Sequence, residues 1–363
     1  MIVSQLWLID FRNHASTELR LDSGVTLITG QNGHGKTNLL EGLSLLNGHK
    51  SFRGATSESL VKNGSEFAVI RAQLIRDKRE HLIEMKIVAS GRSRVQLNRQ
   101  VIKRFKDLSD TVSIVVFSPD DLELVKGSPG IRRNYIDEIL LGCDKNFRLV
   151  KTNFDRVIKQ RNNLLKQGRG RLSKELEASL SIWNSQFIEL GEAISKSRTE
   201  LVRDIEPLVN TFYSQVAGKK EQVKFKYETT WMDKGLGKAL HEVRHEELRR
   251  GTTLVGPHRD DVIIDLNNLV SRTHSSQGEQ RSLALALRLS EHTYMAQQIN
   301  DSPLILLDDV FSELDEGRSK RLVECLPSAQ IILTSATGTI PIGINPGKKL
   351  KVLNGRISSG DDG

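Results

Sequence analysis

Three short segments carry residue types that handle phosphate, metal and water. Gly30, Gln31, Asn32, Gly33, His34, Gly35, Lys36 and Thr37 form a glycine-rich loop of the phosphate-binding pattern. Its backbone N–H groups and the helix that follows can hold the β- and γ-phosphates of a nucleotide. Lys36 neutralises their charge, and the Thr37 hydroxyl is placed to ligate Mg²⁺. Asp308 and Asp309 close an apolar run, Leu304–Leu307. At the end of a buried strand beside the loop, Asp308 can hold Mg²⁺ through water. Asp309 then stands where a general base would orient the attacking water. Ser276, Gln277, Gly278 and Glu279 open a helix in between. Serine followed three residues later by glutamate is a capping box, which is a sufficient structural reason for both residues. The segment also lies about one helix and a connection before Asp308. A helix N-terminus, a hydroxyl and an exposed glycine suit a γ-phosphate held by a second copy of the chain.

A competing motif is His241-Glu242-Val243-Arg244-His245, which has the spacing of a zinc protease helix. Either pattern arises by chance in roughly one chain of this length in a hundred. Context separates them. A β-rich run precedes the glycine loop and a helix follows it. The histidines sit among Arg244, Glu246, Glu247, Arg249 and Arg250, with no clear third ligand following. That reads as a solvated helix face.

The elements that must position these residues are legible from periodicity. Strands are expected at 2–9 and 25–29, the second running into the glycine loop, with a helix over 38–46. Alternating segments at 67–75, 81–88 and 93–97 read as antiparallel strands, and 114–117 as a further short one. Ser128-Pro129 then starts helical character that continues to about 167, with Gly168-Arg169-Gly170 as a break. Leu176, Leu180, Trp183, Phe187, Leu190, Ile194, Leu201, Ile205, Leu208 and Phe212 mark one apolar helical face, with Arg198 as a polar skip. Their mean spacing is the α-helical period rather than that of a sustained coiled coil. Pro207 is expected to kink or end this run. Strands follow at 262–266, 304–307 and 331–334, a helix runs from 276 to about 299, and 355–363 reads as a loose tail. The resulting division is an N-terminal α/β part (1–119), an inserted compact helical arm (120–250) and a C-terminal α/β part (251–363).

Composition narrows the function classes. The chain has 363 residues, 37% hydrophobic and 27% charged, which fits a globular protein of more than one domain. No apolar run approaches a membrane span and the start lacks a signal peptide. Cys143 and Cys325 have no metal spacing and read as core thiols in a reducing cytoplasm. The net charge is +8 and is unevenly placed. Residues 71–106 hold eleven Lys/Arg against Asp77, Glu80 and Glu84, and residues 145–171 hold nine against Asp155 alone. Two basic segments on a mildly acidic body point to a polyanion such as nucleic acid. From charge density, Arg92, Arg94, Arg99, Lys103, Arg104, Lys106 and the 145–171 stretch are the candidate DNA contacts.

The three motifs together resemble the ATP-binding-cassette class of ATPases, in its branch of structural-maintenance and double-strand-break proteins. Ser276 and Gly278 match that class's signature serine and second glycine. Glu279 stands for its usual glutamine, and Gln277 departs from its first glycine. Ser312-Glu313-Leu314-Asp315 resembles the dimer-contacting D-loop. Ser335 stands where transport ATPases carry a switch histidine. More closely, the chain resembles the RecF family of bacterial recombination mediators. The resemblance is carried by Phe11-Arg12-Asn13, Val115–Asp121, Val125-Lys126-Gly127, Arg132-Arg133, Gly256–Asp261, Ser276–Arg281 and Leu306–Asp315. His34 departs from the small residue expected in the loop.

The resemblance implies an α/β fold: an ABC-type P-loop ATPase head of mixed sheets with flanking helices, interrupted by a helical arm. It also implies an ATP- and Mg²⁺-dependent protein that binds double-stranded and gapped DNA, dimerises with ATP, and acts with RecR and RecO to help load RecA. Slow hydrolysis would reset the dimer, with Asp309 one methylene shorter than a glutamate base. Arg12 and Asn13 read as contacts to the nucleotide base or ribose. The alternative is the ATPase subunit of a membrane transporter, which shares the three motifs. The long stretch between Thr37 and Ser276, the basic segments and Ser335 stand against it.

Overall fold

The computed structural model describes residues 1–48, 51–168, 173–338 and 340–359. Two compact units emerge. The first comprises 1–122, 211–220 and 281–363, and the second 123–210 and 221–280. The expected arm, 120–250, differs from the second unit, which extends to Gln280 and takes in the signature segment.

In the first unit, strands β1 (Ile2–Phe11) and β2 (His14–Arg20) form a hairpin, and β3 (Val25–Thr29) leads through the glycine loop into helix α1 (Lys36–Ser44). Strands β4 (Phe67–Arg76), β5 (Arg79–Val88), β6 (Arg94–Leu97) and β7 (Gln100–Val101) follow, and then β8 (Ile114–Phe117). The second unit begins with helices α2 (Pro129–Cys143), α3 (Lys145–Gly168) and α4 (Lys174–Ala217), whose last turns belong to the first unit. Strand β9 (Val223–Glu228), helix α5 (Leu236–Arg250) and strands β10 (Asp261–Leu266) and β11 (Leu269–Val270) complete it. Helix α6 (Gln277–Ile299), strand β12 (Leu304–Asp308), helix α7 (Glu316–Cys325) and strands β13 (Ile331–Ser335), β14 (Lys348–Leu353) and β15 (Arg356–Ser359) return the chain to the first unit.

Two sheets build the first unit. One is antiparallel in the order β2-β1-β4-β5-β6-β7; the other, β15-β14-β3-β13-β12-β8, is parallel except for β15. Helix α1 packs against both, and Leu39, Leu40 and Leu43 join Leu6, Leu8, Ile70, Leu306 and Ile332 in one buried cluster. Strands β12 and β13 open on unbroken apolar runs, Leu304–Leu307 and Ile331–Leu333, because both faces are covered, and β3 carries buried Thr26 among its apolar residues.

The second unit is tied together by buried arginines. Arg161 on α3 makes a bidentate ion pair with buried Glu247 on α5 (3.1 and 2.6 Å) and donates to the Thr253 hydroxyl (2.7 Å). Arg198 on α4 pairs with Asp137 on α2 (2.8 and 2.9 Å) and donates to the Pro257 carbonyl (2.7 Å). Arg132 pairs with Asp261, and Arg133 donates to the Asp260 carbonyl. The Gly256–Asp261 segment is therefore held from several helices at once.

Several expectations are corrected. Arg198 is not a polar skip; it is a buried anchor of the arm. Pro207 does not end its helix, which runs on to Ala217. Beyond that proline the deepest positions are Val209, Tyr213 and Val216 rather than Leu208 and Phe212, so the buried stripe moves by one residue. Part of 355–363 is ordered pairing: β15 pairs with β14, and 360–363 lie outside the described residues. Cys143 and Cys325 are half-buried rather than core thiols. Within 145–171, Arg148 and Arg161 are buried with partners, while Arg169 and Arg171 lie outside the described residues.

Candidate functional site

The glycine loop is shaped by what surrounds it. Gly35 has φ 111, and a Cβ there would lie 2.7 Å from the Asn13 amide and 2.8 Å from the His14 ring. Gly30 packs on the Val352 carbonyl of β14. The His34 carbonyl accepts from Asn13 Nδ2 (3.1 Å) and from the Gly355 N–H (2.9 Å), so the departure at His34 leaves the backbone clamped. The His34 side chain is half-buried, while Gln31, Asn32 and Gly33 are exposed. Lys36 folds back onto the Gly30 and Gln31 carbonyls (2.7 and 3.1 Å), the groups a bound phosphate would displace. Burial draws its ammonium below the usual lysine range, against the charges of Asp309 and Asp308.

The first and third sequence segments meet here. The Thr37 hydroxyl donates to Asp308 Oδ1 (2.9 Å), and Thr334 on β13 lies at the same distance from that oxygen. Burial raises the Asp308 carboxyl above the ordinary aspartate range. Asp309 adopts a left-handed conformation (φ 50) that turns the chain sharply out of β12. Its N–H donates to the Thr334 hydroxyl (2.9 Å), and its Oδ1 lies 3.4 Å from the Ala336 N–H. Ser335 is buried at the end of β13, with its hydroxyl 3.4 Å from that of Thr337.

The residues fit a magnesium ion of the kind that shares its shell with a nucleotide. One hydroxyl and one carboxylate converge, and the remaining ligands would be phosphate and water. Among the described residues no group of three or more His, Cys, Asp or Glu could hold a metal alone.

Arg12 and Asn13 lie at the loop's flank in different roles. Arg12 makes a bidentate pair with Glu41 of α1 (2.8 and 2.9 Å) and donates to the Ser59 carbonyl (2.7 Å). Glu41 is fully buried, so Arg12 is first a structural partner of that helix. Asn13 accepts from Asn38 Nδ2 (2.8 Å) and borders an open hollow with Asn38, Ser59 and Lys62.

In the signature segment the capping box is fully formed. The Ser276 N–H and hydroxyl both donate to Glu279 Oε2 (2.8 and 2.9 Å), and the Glu279 N–H returns a bond of 3.3 Å. Ser276 and Gln277 are exposed, while Gly278 and Glu279 are half-buried. Asp315 caps α7, accepting from the Arg318 N–H (2.8 Å), which holds its carboxyl below the usual range.

Of the candidate DNA contacts, Arg92, Arg94, Arg99, Lys103 and Arg104 are exposed along β6, β7 and their turns; the Lys106 side chain lies outside the described ones. In the competing motif, Glu242 is taken up by an exposed ion pair with Lys234.

Sequence reading missed Thr334, Arg53 and His14. Thr334 serves Asp308 and Asp309 at once, and its place opposite Asp308 exists only through the β12–β13 pairing. Arg53 reaches Asn38 Oδ1 (3.3 Å), and its charge acts on Asp308. His14 is buried, its Nε2 3.1 Å from the Gly35 carbonyl and its Nδ1 3.0 Å from the Gly355 carbonyl. No local pattern marks any of the three.

Residues 2–341 match the family described as the RecF/RecN/SMC N terminal domain. The chain is 36% identical to the DNA replication and repair protein RecF of Streptomyces avermitilis, over 98% of this chain and 99% of that one. It is 37% identical to that of Geobacter metallireducens, over 99% and 100%. Among solved structures, the recombination mediator protein RecF with ATP superposes with a TM-score of 0.90 at 29% identity, covering 99% of this chain and 97% of that one. The same protein with ATPγS gives 0.89 over 98% and 97%. The Smc head domain of Pyrococcus furiosus gives 0.58 at 16% identity over 99% and 96%, a likeness of fold.

Proposed function

The chain belongs to the RecF family of ABC/SMC-type ATPases, and from that premise we propose that it is an ATP-driven switch on DNA in recombinational repair. The observation that carries this reading is the Thr37–Asp308 hydrogen bond, which joins the glycine loop and the apolar strand end in one site. Lys36 and the loop N–H groups bind the phosphates. Thr37 and Asp308 would hold Mg²⁺, which would supply neutralisation of the phosphate charge. Asp309, fixed by Thr334 and the Ala336 N–H, orients the attacking water.

The signature segment is assigned to the nucleotide site of a second copy. There Ser276 contacts the γ-phosphate once its hydroxyl turns from Glu279 to the phosphate, and Asp315 borders the same dimer contact. ATP then closes a homodimer on duplex DNA at single-strand gaps, and slow hydrolysis reopens it. Arg92, Arg94, Arg99, Lys103, Arg104 and Lys106 contact phosphates, so binding is salt-sensitive and nearly independent of sequence. RecR and RecO are the partners, RecA the eventual beneficiary, and the cytoplasm the location; no helix among the described residues is long and apolar enough to cross a membrane. The match to RecF proteins over almost the whole chain displaces the transporter reading.

The test measures mass in solution and binding to gapped duplex, each with and without ATP. ATP should double the mass and raise DNA affinity at least tenfold. Ser276→Arg should keep ATP binding and lose dimerisation; full dimerisation by that variant would refute the role in trans.

A further inference from the structure

The antiparallel sheet of the first unit buries one face in the core and exposes the other. Along β4 the burial alternates strictly: Ala68, Ile70, Ala72 and Leu74 are inside, while Phe67, Val69, Arg71, Gln73 and Ile75 are outside. Register carries the same face through Trp7 and Ile9 on β1, Leu82, Glu84 and Lys86 on β5, and Arg94 on β6. A solvated sheet face ordinarily presents polar residues. Here Ile9, Phe67 and Ile75 are 46%, 37% and 40% exposed.

Two aromatic rings on this face each have a cation over them. The Arg71 guanidinium lies 5.3 Å from the Trp7 ring centre, and the Lys86 ammonium 3.7 Å from that of Phe67. Trp7 faces Arg71 across the strands, and Phe67 lies four residues further along β4, roughly 14 Å away. Trp7 also floors a hollow of about 380 Å³ walled by Arg71, Gln73, Leu82, Asn98 and Arg99. Its one acidic wall, Glu80, is already bonded to Gln73 (3.1 Å), and the Arg71–Glu84 pair, at 3.7 Å and exposed, is readily exchanged.

We propose that this sheet face takes unpaired nucleotides, with one base stacked on Trp7, a second on Phe67, and the intervening phosphates held by Arg71 and Lys86. Stacking needs a free base face, which duplex DNA does not offer and a single strand does. Cations outnumber carboxylates on the face, which favours a polyanion over an apolar protein surface. Stacking on a ring reads no base edge, so recognition tolerates sequence. This assignment rests on the DNA-binding reading above and adds the strand: the gap's single strand lies on this face.

The test uses the full chain with ATP and Mg²⁺, a 20-nucleotide oligothymidylate, and a duplex without a gap. Oligothymidylate should quench tryptophan emission in the parent and much less in Trp7→Phe, because Trp231 is buried and Trp183 half-buried. Trp7→Ala and Phe67→Ala should each bind oligothymidylate about tenfold more weakly, with duplex binding changed less than twofold. Phe67 is exposed, so its variant decides the matter even if Trp7→Ala fails to fold. Unaltered oligothymidylate affinity in the Phe67 variant and unaltered quenching in Trp7→Phe would overturn the proposal and leave the face to a protein partner. An equal loss of duplex binding in the variants would overturn it too. A parent that binds oligothymidylate as described but shows no ATP-dependent duplex binding would refute the switch reading and uphold this one.

Discussion

Asp308 lies between two hydroxyls in a buried position, and its carboxyl is raised by that burial. A carboxyl with a raised folded pKa opposes folding when ionised. The nucleotide-free protein therefore gains stability from this group as pH falls through the folded value, and loses it as pH rises. Asp308→Asn removes the penalty. Its thermal midpoint without nucleotide should exceed the parent's at pH 8, with the difference shrinking toward pH 4. The same variant should lose the stabilisation that Mg²⁺-ATP gives the parent, and hydrolysis should drop at least a hundredfold. A lower midpoint than the parent at pH 8 would show that the hydrogen bonds outweigh the desolvation. Ser276 illustrates a different tension at this scale: one hydroxyl serves a helix cap within its own chain and is also the group proposed to reach a phosphate elsewhere. Glutamate at position 279 strengthens the cap, so Glu279→Gln should ease release and shift the monomer–dimer balance toward dimer at a given ATP concentration.

The helices of the second unit are joined through ion pairs in their interior. Removing one member of such a pair leaves a buried charge, which costs about 3–5 kcal/mol. Arg161→Ala should therefore destabilise the chain by that amount in denaturant unfolding, while replacement of exposed Arg156 on the same helix should change it by less than about 0.5 kcal/mol. This contrast marks what sequence could and could not disclose. Strand and helix periods exposed the elements around the nucleotide loop, including β8 at its observed limits, because apolar runs and alternation are local properties. The three site segments were visible because their chemistry is written contiguously. Arg161 reads as part of a basic run and Arg198 as a polar skip, because nothing local reveals that a partner carboxylate waits on another helix. Thr334 was read only as part of a strand, since its hydroxyl gains a role only when β13 lies beside β12. The hairpin β14–β15 was hidden for the same reason: its strands are short and mostly polar, and its function is to be a neighbour.

At the scale of the whole molecule, residues from the two ends of the chain make one nucleotide loop. Strand β3, which delivers the loop, has β13 and β14 as its only sheet neighbours among the described residues. The Gly355 N–H holds the His34 carbonyl, and a Cβ at Gly355 would collide with the Asn13 carbonyl in a left-handed turn (φ 75). Gly355→Val should therefore weaken ATP binding about tenfold by isothermal titration and leave the hydrolysis rate at saturation within twofold. Unchanged affinity would show that the loop holds its shape unaided. The pairing of β3 with β13 and β14 also sets a schedule for the living cell. The loop is translated well before its supports, since the two strands that flank β3 follow it by about three hundred codons. A growing chain on the ribosome thus has no shaped nucleotide site until β13 and β14 have emerged beside β3, and ATP joins the protein only after that.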